Sequence, residues 1–582
     1  MNLMKYIISI LFIYWTLNTF SQNLKDASNF GFETDLGGSS DSWQMEYSGY
    51  KFNYDTIDHI EGKRSIVFQR SGLNSILDLC LFQKILLPVQ ANSISVSVFS
   101  KNLNFNCAWL IIAGFDKSGK IKATDTVSII DNSGWKEFTA NIRHEGMYLL
   151  SIEIRAKEPF HGLKTKVKLW IDNISVHCDG QDLLSVETPS NGPTGREINK
   201  IKKNIPLDTN LLLPETVLKK IARKKIIGFG ETAHGSLYID RFIYNNIRQL
   251  IFKHNCKLVL FEMPIDLVAE YNLYIHGYSI DSINLKFYPP YTKIDTTYQK
   301  LEFINSEFED FINWIRRYNS THENKVDVMG IDLHTGLNSS NETPPCLNRY
   351  ISSMKLRSKT TDSLVSLINS GLWRRLPLQY VLKNENEITG LMGSFNSKVL
   401  LQILKSRTDS ALLNPLIESF GNWQYVHRDY IMWQNTRQVL ENFMNDNSPV
   451  AICAHYAHLN KNTFVHFNEV VPLGQYLEET YGNGYYCLGI LLGEGEAGCA
   501  DNSEDRLGIQ YLQQPVRGSL EYLALQTNQY AFYREGFIKS DKPLLIRRSG
   551  NKKSTFQFIP AYYPGCMDGF VFIRESASYF KE

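Results

Sequence analysis

Five short apolar runs, at residues 225–229, 257–263, 326–331, 450–454 and 485–492, are separated by long stretches of helical periodicity. Runs of this length, apolar on both faces, read as strands of a buried parallel sheet, and their alternation with helices reads as α/β architecture. The first run leads into Gly228-Phe229-Gly230-Glu231-Thr232-Ala233-His234-Gly235, and an amphipathic stretch from Leu237 to His254 follows. That is a strand, a tight turn and a helix start, with a carboxylate and an imidazole in the turn. Ligands of open α/β sheets collect at the carboxyl ends of the strands, so the residues ending each run are the candidate site. Glu231 and His234 end the first; Glu262 ends the second, just before the helix-starting Pro264. Asp332 follows the third as an orienting carboxylate, with His334 a weaker candidate beyond it. The fourth opens into Ala454-His455-Tyr456-Ala457-His458, two histidines spaced i, i+3. His427 falls in a helical pattern and reads as helix surface or core.

The chain of 582 residues is too long for one core. Residues 1–21 read as a signal peptide: Lys5, an apolar run from Tyr6 to Leu17, and Ser21 before the cut. An exported protein, periplasmic or secreted, is therefore expected, with no membrane-spanning segment after cleavage. Residues 22–180 carry short strand-like runs at tight spacing, the pattern of an all-β jelly-roll sandwich. A Pro/Gly-rich stretch makes 181–204 a linker, and 205–582 is the α/β domain, with a large helical insertion at 345–447. The expected whole is multidomain: a β-sandwich, then a mostly parallel α/β domain. The helical insertion should pack beside the strand ends as a lid over a deep cleft, with Trp373, Tyr380, Trp423, Tyr425 and Trp433 supplying aromatic surface. An amphipathic helix is expected at 297–317.

With 61 basic and 60 acidic side chains and no basic tract, nothing favours nucleic acid. The nine cysteines include no CxxC pair and give no disulfide framework. Cys256, Cys453 and Cys487 read as buried thiols, and a pairing of Cys107 with Cys178 stays open.

Several chemistries fit the strand-end residues. Gly228 to Ala233 matches GxGxxA, and Glu262 could then take a ribose hydroxyl. Glu231, however, would set an acid where a pyrophosphate needs bare amide donors. Three histidines and a glutamate are also a reasonable metal set. General-base hydrolysis fits better: neutral imidazole takes a proton from water near pH 7, and a glutamate on its other nitrogen stabilises the imidazolium. There is no GxSxG elbow and no HExxH helix.

Gly230-Glu231-Thr232-Ala233-His234-Gly235 resembles the G-E-[AT]-[TA]-H-G signature of the erythromycin esterase family. The resemblance continues through Glu262, Gly330-Ile331-Asp332-Leu333, the run Arg428 to Asn435, Ala454 to His458, Leu473 to Leu477, Tyr485 to Gly489 and Asp568 to Ile573. It covers about 205–582, in order. It implies a metal-independent, cofactor-free hydrolase of a small-molecule carboxylic ester or lactone, with His234 as base. Glu231 and Glu262 would orient the base, and His455 and His458 would donate protons or stabilise the oxyanion. The substrate-binding candidates are Arg241, Asp332, Arg428 and Tyr456. Three departures touch the pocket: Ile243 stands where characterised members carry arginine, Thr232-Ala233 inverts the usual order, and Tyr456 replaces asparagine. The sandwich resembles the carbohydrate-binding and galactose-binding-like modules through residues 29–33, 134–138 and 169–174, making carbohydrate the candidate ligand of that module. Trp43, Trp109, Trp135 and Trp170 are expected to pack its core, with sugar stacking the alternative. A catalytically inactive glycan-binding protein is the rival from another class.

Overall fold

The computed structural model describes residues 29–578, except 34–42, 49, 71–76, 105–107, 118, 130–132, 159–166, 186–198, 200, 202, 279–305, 333–349, 352–357, 370–375, 421–422, 445, 463–470, 502–505, 517, 537, 539–543, 550–556 and 563–564. The signal peptide, His334, Cys107 and Trp373 lie outside the described residues, as do the side chains of Trp423, Tyr425 and His427.

The N-terminal domain is built from β1 (Gln44–Ser48), β2 (Tyr50–Asp55), β3 (Ser65–Arg70), β4 (Leu77–Leu103), β5 (Ala108–Phe115), β6 (Ile121–Ser128), β7 (Lys136–Glu158), β8 (Lys168–Cys178) and β9 (Gln181–Asp182). All pairings are antiparallel. Two strands are long enough to serve both layers. The first half of β4 pairs with β1 and the last half of β7; its second half pairs with β8 and the first half of β7. The register shifts between Leu86, Ala91 and Ser93 mark the corner where the chain passes from one layer to the other. Alternation then buries Ile85, Leu87, Leu110, Ile112, Ile152 and Ile154 between the layers. Trp43 and Trp170 are buried, while Trp109 and Trp135 are half-buried. The expected linker begins inside this domain, because β9 pairs with β8 and Leu183 fills its core. Cys178 is a buried free thiol, as are Cys256, Cys453 and Cys487.

The second domain carries β10 (Ile205–Pro206), β11 (Ile226–Glu231), β12 (Leu258–Pro264), β13 (Asp327–Asp332), β14 (Val450–His455), β15 (Tyr485–Asp501), β16 (Arg506–Leu512), β17 (Ala531–Glu535), β18 (Leu544–Arg547), β19 (Phe558–Tyr562) and β20 (Gly569–Ser576). The sheet runs β10-β17-β20-β15-β11-β14-β12-β13, parallel from β20 to β13 and antiparallel at the other edge. Each parallel strand named from the sequence runs at least one residue further than its apolar run. Glu231, Asp332 and His455 are thus the last residues of strands, held by ladder pairing. The helix after the signature spans Leu237–His254, capped by Ser236, whose hydroxyl accepts from the Ile239 amide, and closed by left-handed Asn255.

The amphipathic helix expected at 297–317 is observed as Ser306–Thr321, continuing past the expected end while Phe308, Phe311 and Ile315 stay buried. The insertion supplies helices Lys359–Asn369, Leu376–Lys383, Glu385–Met392, Ser394–Phe420 and Trp423–Phe443. The last packs on β13, at the parallel edge. The strands β16 to β19 have no counterpart in the sequence reading, and β18 and β19 form a separate two-stranded hairpin. Among the described residues no helix is long and apolar enough to cross a membrane.

Candidate active site

Parallel pairing sets Glu231 of β11 directly beside His455 of β14. The turn after β11 needs Gly235: its φ is +68°, and a Cβ there would lie 2.4 Å from the Gly498 Cα. Through that turn His234 folds back until its Nδ1 is 2.8 Å from Glu231 Oε1, with both side chains buried. Nδ1–H donating to the glutamate leaves Nε2 as the nitrogen that takes a proton. Burial raises the Glu231 carboxyl above its ordinary value, and the His234 charge opposes it.

The His455 ring lies 4.8 Å from that of His234, centroid to centroid. The backbone amide of Ala457 donates to its Nδ1 at 3.1 Å. Nδ1 is therefore an acceptor, and the neutral ring carries its proton on Nε2. Burial, then the charges of His234 and Arg548, push His455 well below the ordinary histidine range. It is a neutral imidazole with one N–H to give.

His458 is its opposite. Nδ1 meets Asp429 Oδ1 at 2.8 Å and Nε2 meets Glu262 Oε1 at 3.1 Å. Burial works to lower its pKa, but the two carboxylates raise it to about 9, so it is an imidazolium at neutral pH. Arg428 Nη1 approaches the same Nε2 at 3.1 Å, a repulsive contact compensated by the acids around it.

Glu262 anchors the network. It accepts from Arg428 Nη2 at 2.7 Å, from His458, and from the His455 backbone amide at 2.7 Å. Burial alone would raise it; the charges of His458 and Arg428 outweigh that and hold it well below the carboxylate range. Arg428, brought by the insertion's last helix, also takes Asp332 in a fork, Nε to Oδ1 at 3.0 Å and Nη2 to Oδ2 at 2.6 Å. A glycine precedes Asp332 by two positions because a Cβ on Gly330 would come within 2.4 Å of the Met263 carbonyl oxygen.

Thus His234, Glu231, Glu262, His455, His458 and Asp332 form one buried cluster, closed by the half-buried Arg428. Two candidates lie apart from it. Arg241 pairs outward with Glu307 at 2.9 Å, while Ile243 is packed in the core. Tyr456 turns beneath the sheet, its Cα 3.1 Å from where a Gly230 Cβ would stand. Asp429, unassigned in the sequence reading, orients His458 and accepts the Leu473 amide at 3.0 Å. Its signal was adjacency to Arg428. Among the described residues no three His, Cys, Asp or Glu side chains are grouped to hold a metal.

Residues 414–576 match the family model of erythromycin esterase, which covers Arg428, Asp429, His455 and His458 and supports an esterase-type hydrolase. Among solved structures, the chain is similar to a Bacillus cereus protein at 17% identity, covering 66% of this chain and 99% of that one, with a TM-score of 0.46. An erythromycin esterase mutant in its open conformation matches at 15% identity, covering 62% of this chain and 94% of that one, with a TM-score of 0.41. The sandwich is similar to a carbohydrate-binding module in complex with β-1,4-galactotriose, at 17% identity, 26% and 96% coverage and a TM-score of 0.20. No curated protein matches the chain.

Proposed function

We propose that this chain is an exported hydrolase of a carboxylic ester or lactone in which His234 activates water as general base. The observation that carries the reading is the Glu231–His234 pair, 2.8 Å apart and buried, with the neutral His455 ring 4.8 Å from that of His234 and tilted 52° to it. A water at His234 Nε2 gives up its proton as its oxygen attacks the carbonyl carbon. The carbonyl π electrons move to oxygen, and His455 Nε2–H donates to that oxyanion. Collapse expels the alcohol oxygen, which takes the proton back from His234. Glu231 stabilises the transient imidazolium through Nδ1–H.

Glu262 has a different task. Three donors hold it ionised, so it positions His455 and balances Arg428 and His458 rather than taking a proton. The apolar stretch at residues 6–17 supports export. The test is incubation of the purified protein with a panel of small esters, lactones and macrolides, with mass detection of the acid and alcohol formed. Release of a carboxylic acid from at least one of them is expected. No hydrolysis of any, by folded protein, would overturn the reading.

A further inference from the structure

The turn that carries His234 is held on both sides by segments distant in sequence. On one side the amide and the hydroxyl of Thr232 both donate to the Ile490 carbonyl of β15, at 3.2 and 2.8 Å. On the other lies the chain that leaves β18. There the Ser549 amide donates to the Thr232 carbonyl at 3.0 Å, and the Ser549 carbonyl accepts from the His234 amide at 3.2 Å, making a parallel bridge at Ala233. The amide of His234 is thereby engaged by residue 549. The place of its Cα, and with it the reach of the imidazole to Glu231, depends on where that segment runs.

A buried arginine two residues earlier decides where it runs. Arg547 Nη2 donates to the carbonyls of Gly493 and Gln513, both at 2.7 Å, and Nη1 donates to the side-chain carbonyl of Gln557. Gly493 lies in β15, Gln513 follows β16 and Gln557 precedes β19, so one guanidinium gathers three segments around the chain leading to Ser549. Gln557 and Gln513 close the knot: each backbone amide donates to the other's side-chain carbonyl at 3.0 Å, and the Arg548 amide donates to the Gln557 carbonyl at 2.7 Å. The Glu521 carboxylate accepts the Arg547 amide at 2.9 Å. The hairpin is also backed from outside, because Leu544 and Ile546 of β18 share an apolar core with Phe115 and Leu149 of the sandwich, and β4 packs on β19.

We propose that Arg547 is a positioning residue for His234: it fixes the 547–549 segment, and that segment sets the imidazole against Glu231. The kinetic consequence rests on the esterase reading above; the effect on the His234–Glu231 hydrogen bond does not. Desolvating a guanidinium to serve neutral carbonyls is costly, and an apolar residue of similar volume would avoid that cost. What the arginine supplies is a planar set of donors able to hold three carbonyls at fixed angles, which no neutral side chain offers. A base displaced by about 1 Å can lose roughly a hundredfold in rate, so a loosened turn is felt in kcat even where the fold survives.

The test uses the full chain and the best ester of the panel. Arg547→Met keeps the apolar bulk beside the Phe558 ring, 4.7 Å from the guanidinium, but removes every donor. It should lower kcat by roughly tenfold to a hundredfold with KM little changed. Arg547→Lys, whose ammonium can still serve some of the carbonyls, should recover part of that loss. Ser549→Pro, which removes the single N–H given to Thr232, should lower kcat in the same way. Ile312→Ala, in the buried face of the helix Ser306–Thr321, is the control for stability: it should lower the thermal midpoint and leave kcat unchanged. A readout without turnover is the low-field proton resonance of the His234 Nδ1–H, assigned by its absence in His234→Ala. It should be present in wild type and Ile312→Ala and exchange-broadened in Arg547→Met and Ser549→Pro. If no protein hydrolyses any ester but the resonance behaves in this way, the positioning role stands and the esterase reading fails. Should Arg547→Met not fold, Arg547→Lys and Ser549→Pro carry the same two readouts. A wild-type resonance and a wild-type kcat in the folded Arg547 and Ser549 variants would overturn the proposal.

Discussion

His455 and His458 sit three residues apart on one short helical turn, yet their environments drive them to opposite charge states. Burial first, and then neighbouring charge, keep His455 neutral, with its Nδ1 accepting a backbone amide; His458 lies between Asp429 and Glu262 and stays charged. The second state has a consequence for stability. The folded pKa of His458 is raised from 6.5 to about 9, so the folded state holds a proton that the unfolded state releases. The stabilisation is complete below about pH 6.5 and is lost as the pH rises through about 9. Thermal midpoints measured from pH 6 to pH 10 should fall more steeply for wild type than for His458→Gln. Parallel slopes would show that His458 is not charged in the folded protein. The two histidines were legible in the sequence as a pair at a strand end. Their division of roles was not, because it depends on Asp429 and Glu262 arriving from other elements.

At the scale of elements, the site is a set of strand ends locked by register. Glu231 faces His455 across the ladder, and Gly235 lets the chain turn so that His234 meets Glu231. Gly235→Ala should therefore cost about 2 kcal/mol or more, from the left-handed φ and the clash with Gly498. Its urea midpoint should fall, and ester hydrolysis should fall with it as His234 shifts; a midpoint equal to wild type would contradict the account. The parallel strands could be read in advance because each is a continuous apolar run buried on both faces. The strands β16 to β19 escaped, being short and antiparallel with mixed polarity; the hairpin they include is the element that carries Arg548. The insertion was read as helical and adjacent to the strand ends. What the structure adds is the single side chain, Arg428, by which it ties Glu262 to Asp332.

At the scale of the molecule, two domains separable in sequence share a core. Nothing in the sequence distinguishes Phe115 and Leu149 from ordinary strand residues, because alternation says which face a side chain takes and not what covers that face. Burial of these residues against the hairpin couples the sandwich to the turn that carries His234. Calorimetry should accordingly show one cooperative endotherm for the full chain, and Phe115→Asp should split it into two. Two independent transitions in wild type would mean that the domains do not stabilise each other.

The proposed removal of the water proton by His234 is tested by the rate of the best ester from the panel with wild type and His234→Ala at pH 7.5. Loss of the base should lower kcat by about 10³-fold or more, with the thermal midpoint little changed. Equal rates in the two proteins would contradict the account, whatever the substrate.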